Sequence, residues 1–357
     1  MTAEQSPARG ARAAVTLAAL VIVVAGLRAA APVLVPLLLG LFLAVLSLPL
    51  QKLLEGYGVP RPLAILATIL ADAAVVAVAG VVITASLGDL AEAAPIYQVR
   101  LERFLDNILE RLQAYGLAPP EWTYGELLRA EPVVVVLGGT LMGAVVFLSG
   151  TVLVLLVMVF ILLEAAGFPA RVRAALGPPR AERRRFDRAA REVQRYLGIK
   201  TLVSLATGLL LGGWVAVLGL DFPLLWGFIG FLFHYIPNIG AFLAAVPAVL
   251  LGLIQLGPSG AAMVGLGYLA VNMVLGNFLE PILMGRRLGL SSLVVFLSLV
   301  FWGWLWGPIG MFLSVPLTMT AKIYLENSPE LRWAAVLLGP NPPPEPAPAA
   351  KAAGEDA

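Results

Sequence analysis

The sequence predicts an all-α polytopic membrane protein with about eight hydrophobic segments, two of them proline-broken re-entrant hairpins forming a candidate inverted repeat. Three observations lead there. Of 357 residues, 60% are hydrophobic and only 13% charged, against roughly 25% charged in soluble domains. Several uncharged runs exceed the roughly 18 residues that mark a bilayer crossing. Prolines interrupt two of the longest runs. The net charge of +2, from 24 basic and 22 acidic residues, provides no field to gather nucleic acid. The chain has no cysteine, which excludes disulfides and thiolate chemistry.

The first apolar run, Ala13 to Leu27, follows Arg9 and Arg12 and is read as a retained span, although Ala29-Ala30-Ala31 resembles a signal cleavage site. Pro32 to Leu50 forms a second run, Leu63 to Leu87 a third broken by Asp72 alone, and Val133 to Leu163 a fourth with 31 uncharged residues. Between the third and fourth, residues 88–132 carry eight acids and four arginines, with Tyr97, Leu101, Phe104, Ile108, Leu112 and Tyr115 at helical spacing. Residues 164–198 hold nine arginines and four acids, and Phe186, Ala190, Val193 and Leu197 share a helical face. Basic loops stay in the cytoplasm. The arginine-rich face then lies on anionic lipid headgroups, and the acidic segment lies outside.

After a fifth span near Thr201 to Leu220 the pattern changes. Phe222 to Leu256 contains 35 residues without Asp, Glu, Lys or Arg, yet Pro237 cuts it into pieces of 15 and 19, the first too short to span. Leu288 to Ala321, with 34 uncharged residues, is interrupted around Gly307-Pro308. Each reads as two half-helices that enter and leave on one side. The cores Ile239-Gly240-Ala241-Phe242-Leu243 and Ile309-Gly310-Met311-Phe312-Leu313 match, and one crossing, Gly257 to Leu279, separates them. The first hairpin would therefore open outside and the second to the cytoplasm. Interrupted segments at corresponding positions of two halves point to a substrate site.

No phosphate-binding loop is present; Gly198-Ile199-Lys200-Thr201 lacks its spacing. His234 is the single histidine, which leaves no pair for a metal site; it reads as a structural hydrogen-bond donor or a proton relay. Pro281 is expected to end the crossing helix, which places Glu280 at a helix C-terminus where a carboxylate is disfavoured. Glu280 reads equally as a salt-bridge partner of Arg286 or Arg287 and as a proton or cation site. Asn277 is expected on the face of Glu280, and Asn272 too far round without a bend. Asn238 is placed as the N-cap of the returning half-helix, with free backbone N–H groups there able to hold a polar solute. Asp72 pairs with Arg28 or a polar neighbour, or conducts protons. Trp302, Trp304 and Trp306 mark an interface belt or line the second hairpin. Gly208 with Gly212 has the spacing of close helix approach.

The motifs Ile236-Pro237-Asn238-Ile239-Gly240, Asn277-Phe278-Leu279-Glu280-Pro281-Ile282-Leu283-Met284-Gly285 and Phe301-Trp302-Gly303-Trp304-Leu305-Trp306-Gly307-Pro308-Ile309-Gly310, with Val315-Pro316-Leu317, resemble the bacterial autoinducer-2 exporter family of membrane transporters. The resemblance is strongest over about residues 190 to 325. It implies a multi-pass permease of the cytoplasmic membrane, assembled as a homo-oligomer and on the family's pattern a pentamer; both termini are expected in the cytoplasm, the N-terminus on the charge pattern with Arg9 and Arg12. It implies export of a small polar molecule of the autoinducer-2 type, sodium (lithium)/proton antiport being the alternative and an oligomeric scaffold or pore a further one. An enzyme has the least support. No cofactor is expected beyond a coupling proton or sodium ion; the partners are membrane lipids and a small polar solute or monovalent cation.

The expected organisation is three transmembrane helices over 1–87, an acidic extracytoplasmic helical module over 88–132, and a long span with a basic amphipathic helix over 133–198. A transport core with two hairpins over 199–325 and a disordered cytoplasmic tail over 326–357 complete it. The candidate pathway residues are Pro237, Asn238, Gly240, Asn277, Glu280, Pro281, Asp72, His234, Pro308 and Gly310.

Overall fold

The computed structural model describes residues 6–115, 150–165, 167, 171, 174, 181–284, 289–328 and 330–339. Its helices are α1 (Ser6–Ala29), α2 (Ala31–Gly56), α3 (Arg61–Ala114), α4 (Thr151–Ala165), α5 (Ala181–Val217), α6 (Pro223–His234) and α7 (Ile239–Val271). A π-helical stretch (Asn272–Leu279) leads into α8 (Glu280–Met284), followed by α9 (Ser292–Asn327) and α10 (Arg332–Leu337). In hydrocarbon every backbone polar group must find an internal partner, which apolar helices provide. Among the described residues, five helical stretches are long and apolar enough to cross a membrane, and Ala14–Ala29, Thr151–Glu164 and Pro223–His234 are shorter apolar helices. Among the described residues there is no strand. Large apolar side chains such as Val15, Leu20, Leu209, Val217 and Leu224 stay exposed, as expected where lipid is the solvent. The part of the fourth run before residue 150, residues 116–132 and the tail from 340 lie outside the described residues.

Helices α5 and α6 pack as an antiparallel pair whose closeness follows from glycine. A Cβ on Gly208 would sit 2.6 Å from the Gly227 carbonyl oxygen, and one on Gly212 3.3 Å from the Gly227 Cα. The expected close approach at Gly208 and Gly212 is thus made, with Gly227 as its counterpart. Trp226 is fully buried beside it and donates through Nε1 to the Asp221 carbonyl at 2.9 Å.

Both long uncharged segments are broken. In the first, α6 stops at His234, and Asn238 adopts φ 60°, ψ −49° while the Ile239 N–H donates to the Pro237 carbonyl at 2.6 Å. This is a γ-turn, a strained reversal. Helix α7 then returns and kinks at Gly257, whose φ of 76° suits glycine. Near that kink Gln255 accepts from the Asp221 N–H at 2.9 Å and donates to the Gly219 carbonyl at 3.0 Å. The segment therefore begins and ends at the same place, the α5–α6 connection. In the second, α9 breaks at Trp306 (φ −129°, ψ 15°) and Gly307 (φ 66°). Its limbs lie side by side: Trp302 Nε1 donates to Thr318 Oγ1 at 3.0 Å, and Lys322 Nζ to the Gly289 carbonyl at 2.5 Å. A Cβ on Gly240 would overlap the Phe233 carbonyl, and one on Gly310 would overlap that of Trp302, with the Cβ of Ile236 and Trp306 next nearest at 3.2 and 3.1 Å. The two matched sequence motifs make the same close crossing.

Helix α3 runs unbroken for 54 residues, roughly 80 Å at 1.5 Å per residue, so the third span and the start of the acidic segment are one rod. Tyr97 and Leu101 on its extension are buried against Leu211, Val215, Leu225 and Trp226. The amphipathic spacing is reproduced over this part, though Ile108 and Tyr115 are exposed.

Candidate functional site

Lys200 lies on α5 in the stretch Arg191–Val217 and Glu280 starts α8, both inside apolar spans. Lys200 Nζ donates to both carboxylate oxygens of Glu280, at 2.7 and 3.0 Å. His234, the last residue of α6, approaches the second oxygen through Nε2 at 3.2 Å. The side chains of Lys200, His234 and Glu280 are 5%, 6% and 14% exposed. A charge pair this dry persists only with good geometry and additional hydrogen bonds, and ionisable groups at membrane depth mark ion or substrate pathways. Beside them the Tyr235 hydroxyl donates to Thr201 Oγ1 at 2.7 Å. The Tyr235 ring stacks on Phe312 of α9 with centroids 4.5 Å apart. The break of the first segment thus touches the returning limb of the second.

The backbone before Glu280 explains its placement and corrects two expectations, that Pro281 ends the helix and that Asn277 shares the face of Glu280. Pro281 does not end the helix. Its ring would meet the carbonyl four residues back in an α-helix; the π winding over Asn272–Leu279 opens that turn, and the chain stays helical to Met284. A π turn takes more residues than an α turn, so residues three apart no longer share a face. Asn277 is exposed, and it is Asn272 that turns toward His234: a Cβ on Gly276 would lie 2.9 Å from Asn272 Oδ1 and 3.5 Å from His234 Cε1. The positive charge that Glu280 requires comes from Lys200; Arg286 and Arg287 lie outside the described residues.

Asn238 occupies the N-cap position of α7, but its side chain makes no capping bond and is exposed, because the γ-turn gives it a positive φ. Pro237 sits within the break and Gly240 at the crossing with Phe233. Pro308 opens the returning limb of α9, exposed, with Gly310 buried at the crossing with Trp302. Asp72 is engaged elsewhere: Ser47 of α2 donates to it at 2.6 Å, while Arg28 stacks on Trp304 at 4.9 Å. The tryptophans divide accordingly. Trp302 and Trp306 turn inward, Trp306 donating to the Leu27 carbonyl at 3.1 Å, and Trp304 faces out. Between the α9 limbs is an open groove of about 310 Å³, lined mainly by apolar side chains such as Leu297, Phe301 and Leu338. Its polar members Ser298 and Trp302 already bond within α9.

Sequence reasoning missed Lys200. The available signal was a lysine at the very edge of the apolar run that fills the second half of α5; proximity to the arginine-rich run concealed it.

Fold and site together define a polytopic helical membrane protein with a buried charge cluster at the meeting of broken helices. Residues 17–330 match the model of the AI-2E family transporters, and the chain belongs to that family: it is a membrane transporter and not an enzyme. The chain is 39% identical over 331 residues to the AI-2 transport protein TqsA of Escherichia coli (strain K12), covering 92% of this chain and 96% of that one. It is 38% identical over 328 residues to "Putative transport protein YhhT" of the same strain, covering 92% and 94%. A Bacillus subtilis (strain 168) relative, "Putative transport protein YrrI", is 28% identical over 313 residues, covering 82% and 85%.

Proposed function

We propose that this protein is a secondary transporter of the bacterial cytoplasmic membrane that exports a small polar molecule of the autoinducer-2 type, with Lys200, Glu280 and His234 as the ion-coupling group. The observation that carries this reading is the buried Lys200–Glu280 pair with His234 on its free edge, set where the two broken segments meet. The named activity of TqsA and the length of the shared alignment support the solute class.

The two segments act as re-entrant hairpins of opposite orientation, related as an inverted repeat. The contacts of Gln255 with Gly219 and Asp221 support a first hairpin whose ends share one side. Those of Lys322 with Gly289 support the same for the second, on the side where α8 ends. With the arginines of residues 164–198 in the cytoplasm, the first opens outside and the second inside. Irregular backbone at membrane depth is tolerated where it is buried in protein or lines a cavity, and in transporters such half-helix junctions hold the cargo. The unusual turn at Asn238 belongs to this junction.

The ionisable cluster equally favours a second reading, sodium (lithium)/proton antiport, in which the cation is itself the cargo. Purified protein in proteoliposomes separates them. Under the first reading an imposed proton or sodium gradient drives accumulation of an autoinducer-2-type furanosyl solute, and Glu280→Gln abolishes that drive while the protein still folds. A sodium gradient that moves protons with no organic solute present supports antiport, and unchanged coupling in Glu280→Gln removes the cluster from the mechanism.

A further inference from the structure

Beside His234 is a partly enclosed cavity of about 10 Å³ lined by Thr207, Gly230, His234, Ala244, Tyr268 and Asn272, among others. It lies where α5, both limbs of the first broken segment and the π-helical stretch converge. A space of this size accommodates a single water, given two to four polar partners. The polar partners are present. Tyr268 is 5% exposed, and its hydroxyl has no hydrogen-bond partner among the described residues. Thr207 donates to the Val203 carbonyl at 2.9 Å, which leaves its oxygen free to accept. The Asn272 carboxamide and the His234 ring stand on the same side of Gly276. A buried hydroxyl without a partner is costly, and nothing in the apolar remainder of the lining, Gly230 and Ala244, relieves it.

We infer that this chamber is a binding site for one ordered water, held by Tyr268, Thr207 and Asn272 and continuing the hydrogen-bonded cluster past His234. The donor set argues for a neutral ligand. Hydroxyls and a carboxamide surround the space, and the one carboxylate nearby, Glu280, is already neutralised by Lys200. The site rests on and deepens the coupling-group reading by extending the polar cluster beside His234 to Tyr268. Its existence can be tested without transport, so failure of the site and failure of that reading are distinguishable.

The experiment is thermal unfolding of the full chain in detergent. If a water binds the hydroxyl, Tyr268→Phe lowers Tm by about 1 to 3 °C. An unchanged or raised Tm in Tyr268→Phe shows that the hydroxyl holds nothing and overturns the proposal. Sodium or lithium chloride, compared with choline chloride at equal ionic strength, leaves wild type and Tyr268→Phe with the same salt response. A rise in Tm with the small cations that only the wild type shows identifies a cation as the occupant, and also overturns it.

Discussion

Lys200 and Glu280, 80 residues apart in the chain, share two hydrogen bonds in a site nearly closed to water. Removing one partner strands the other's charge, which costs about 3–5 kcal/mol, whereas replacing both by neutral groups is often close to neutral. Lys200→Ala is therefore expected to lower Tm sharply in detergent, and Lys200→Gln/Glu280→Gln to restore most of the loss. The glycines at the two crossings make an equally local test. Gly240→Ala or Gly310→Ala forces a methyl onto a carbonyl oxygen, with an expected cost of about 1–3 kcal/mol read as a lower unfolding midpoint. At this scale Glu280 and His234 were legible, because a polar side chain stands out in an apolar run. Lys200, the partner of Glu280, was not, since no periodicity links positions 200 and 280.

Among elements, α3 joins the membrane to the acidic segment, and it does so at the mouth of the first broken segment. The Tyr97 hydroxyl donates to Asp221 Oδ2 at 2.6 Å, and Asp221 in turn connects to Gln255 and Trp226 through its backbone. Burial first, and the neighbouring Asp221 carboxylate second, push the Tyr97 phenol well above its ordinary value, so it remains a donor at neutral pH. Tyr97→Phe leaves the carboxylate without that donor. A bond to a charged group contributes about 1.5–3 kcal/mol, and the variant is expected to unfold at lower temperature and to admit protease more readily near residue 221. The amphipathic spacing of residues 97–115 revealed a helix; that it continues the third span follows from Pro95 being absorbed within α3. The π-helical stretch had no signature, because Pro281 reads as a helix end unless the preceding turn is widened.

For the whole molecule, the sequence pattern already contained the all-helical apolar character and the two breaks, since charge-free length and proline are the physical causes of both. The contacts between distant segments had to come from packing: Tyr235 on Phe312, Trp306 on the end of α1. Because the chain has no cysteine, its orientation is directly testable. Ser259 follows the kink at Gly257, beside the α5–α6 connection, and Ser292 begins the second broken segment; both are exposed. In intact cells Ser259→Cys is expected to react with a membrane-impermeant maleimide, and Ser292→Cys only after permeabilisation. The reverse pattern would invert the topology, and equal labelling of both would place the two mouths on one side.

The most direct measurement uses the charge-neutral double variant Lys200→Gln/Glu280→Gln, reconstituted and supplied with an ion gradient. If the pair couples ion movement to transport, the variant folds and retains passive, downhill solute flux but no longer concentrates solute against its gradient. A double variant that accumulates solute as the wild type does would show that the pair only holds helices together.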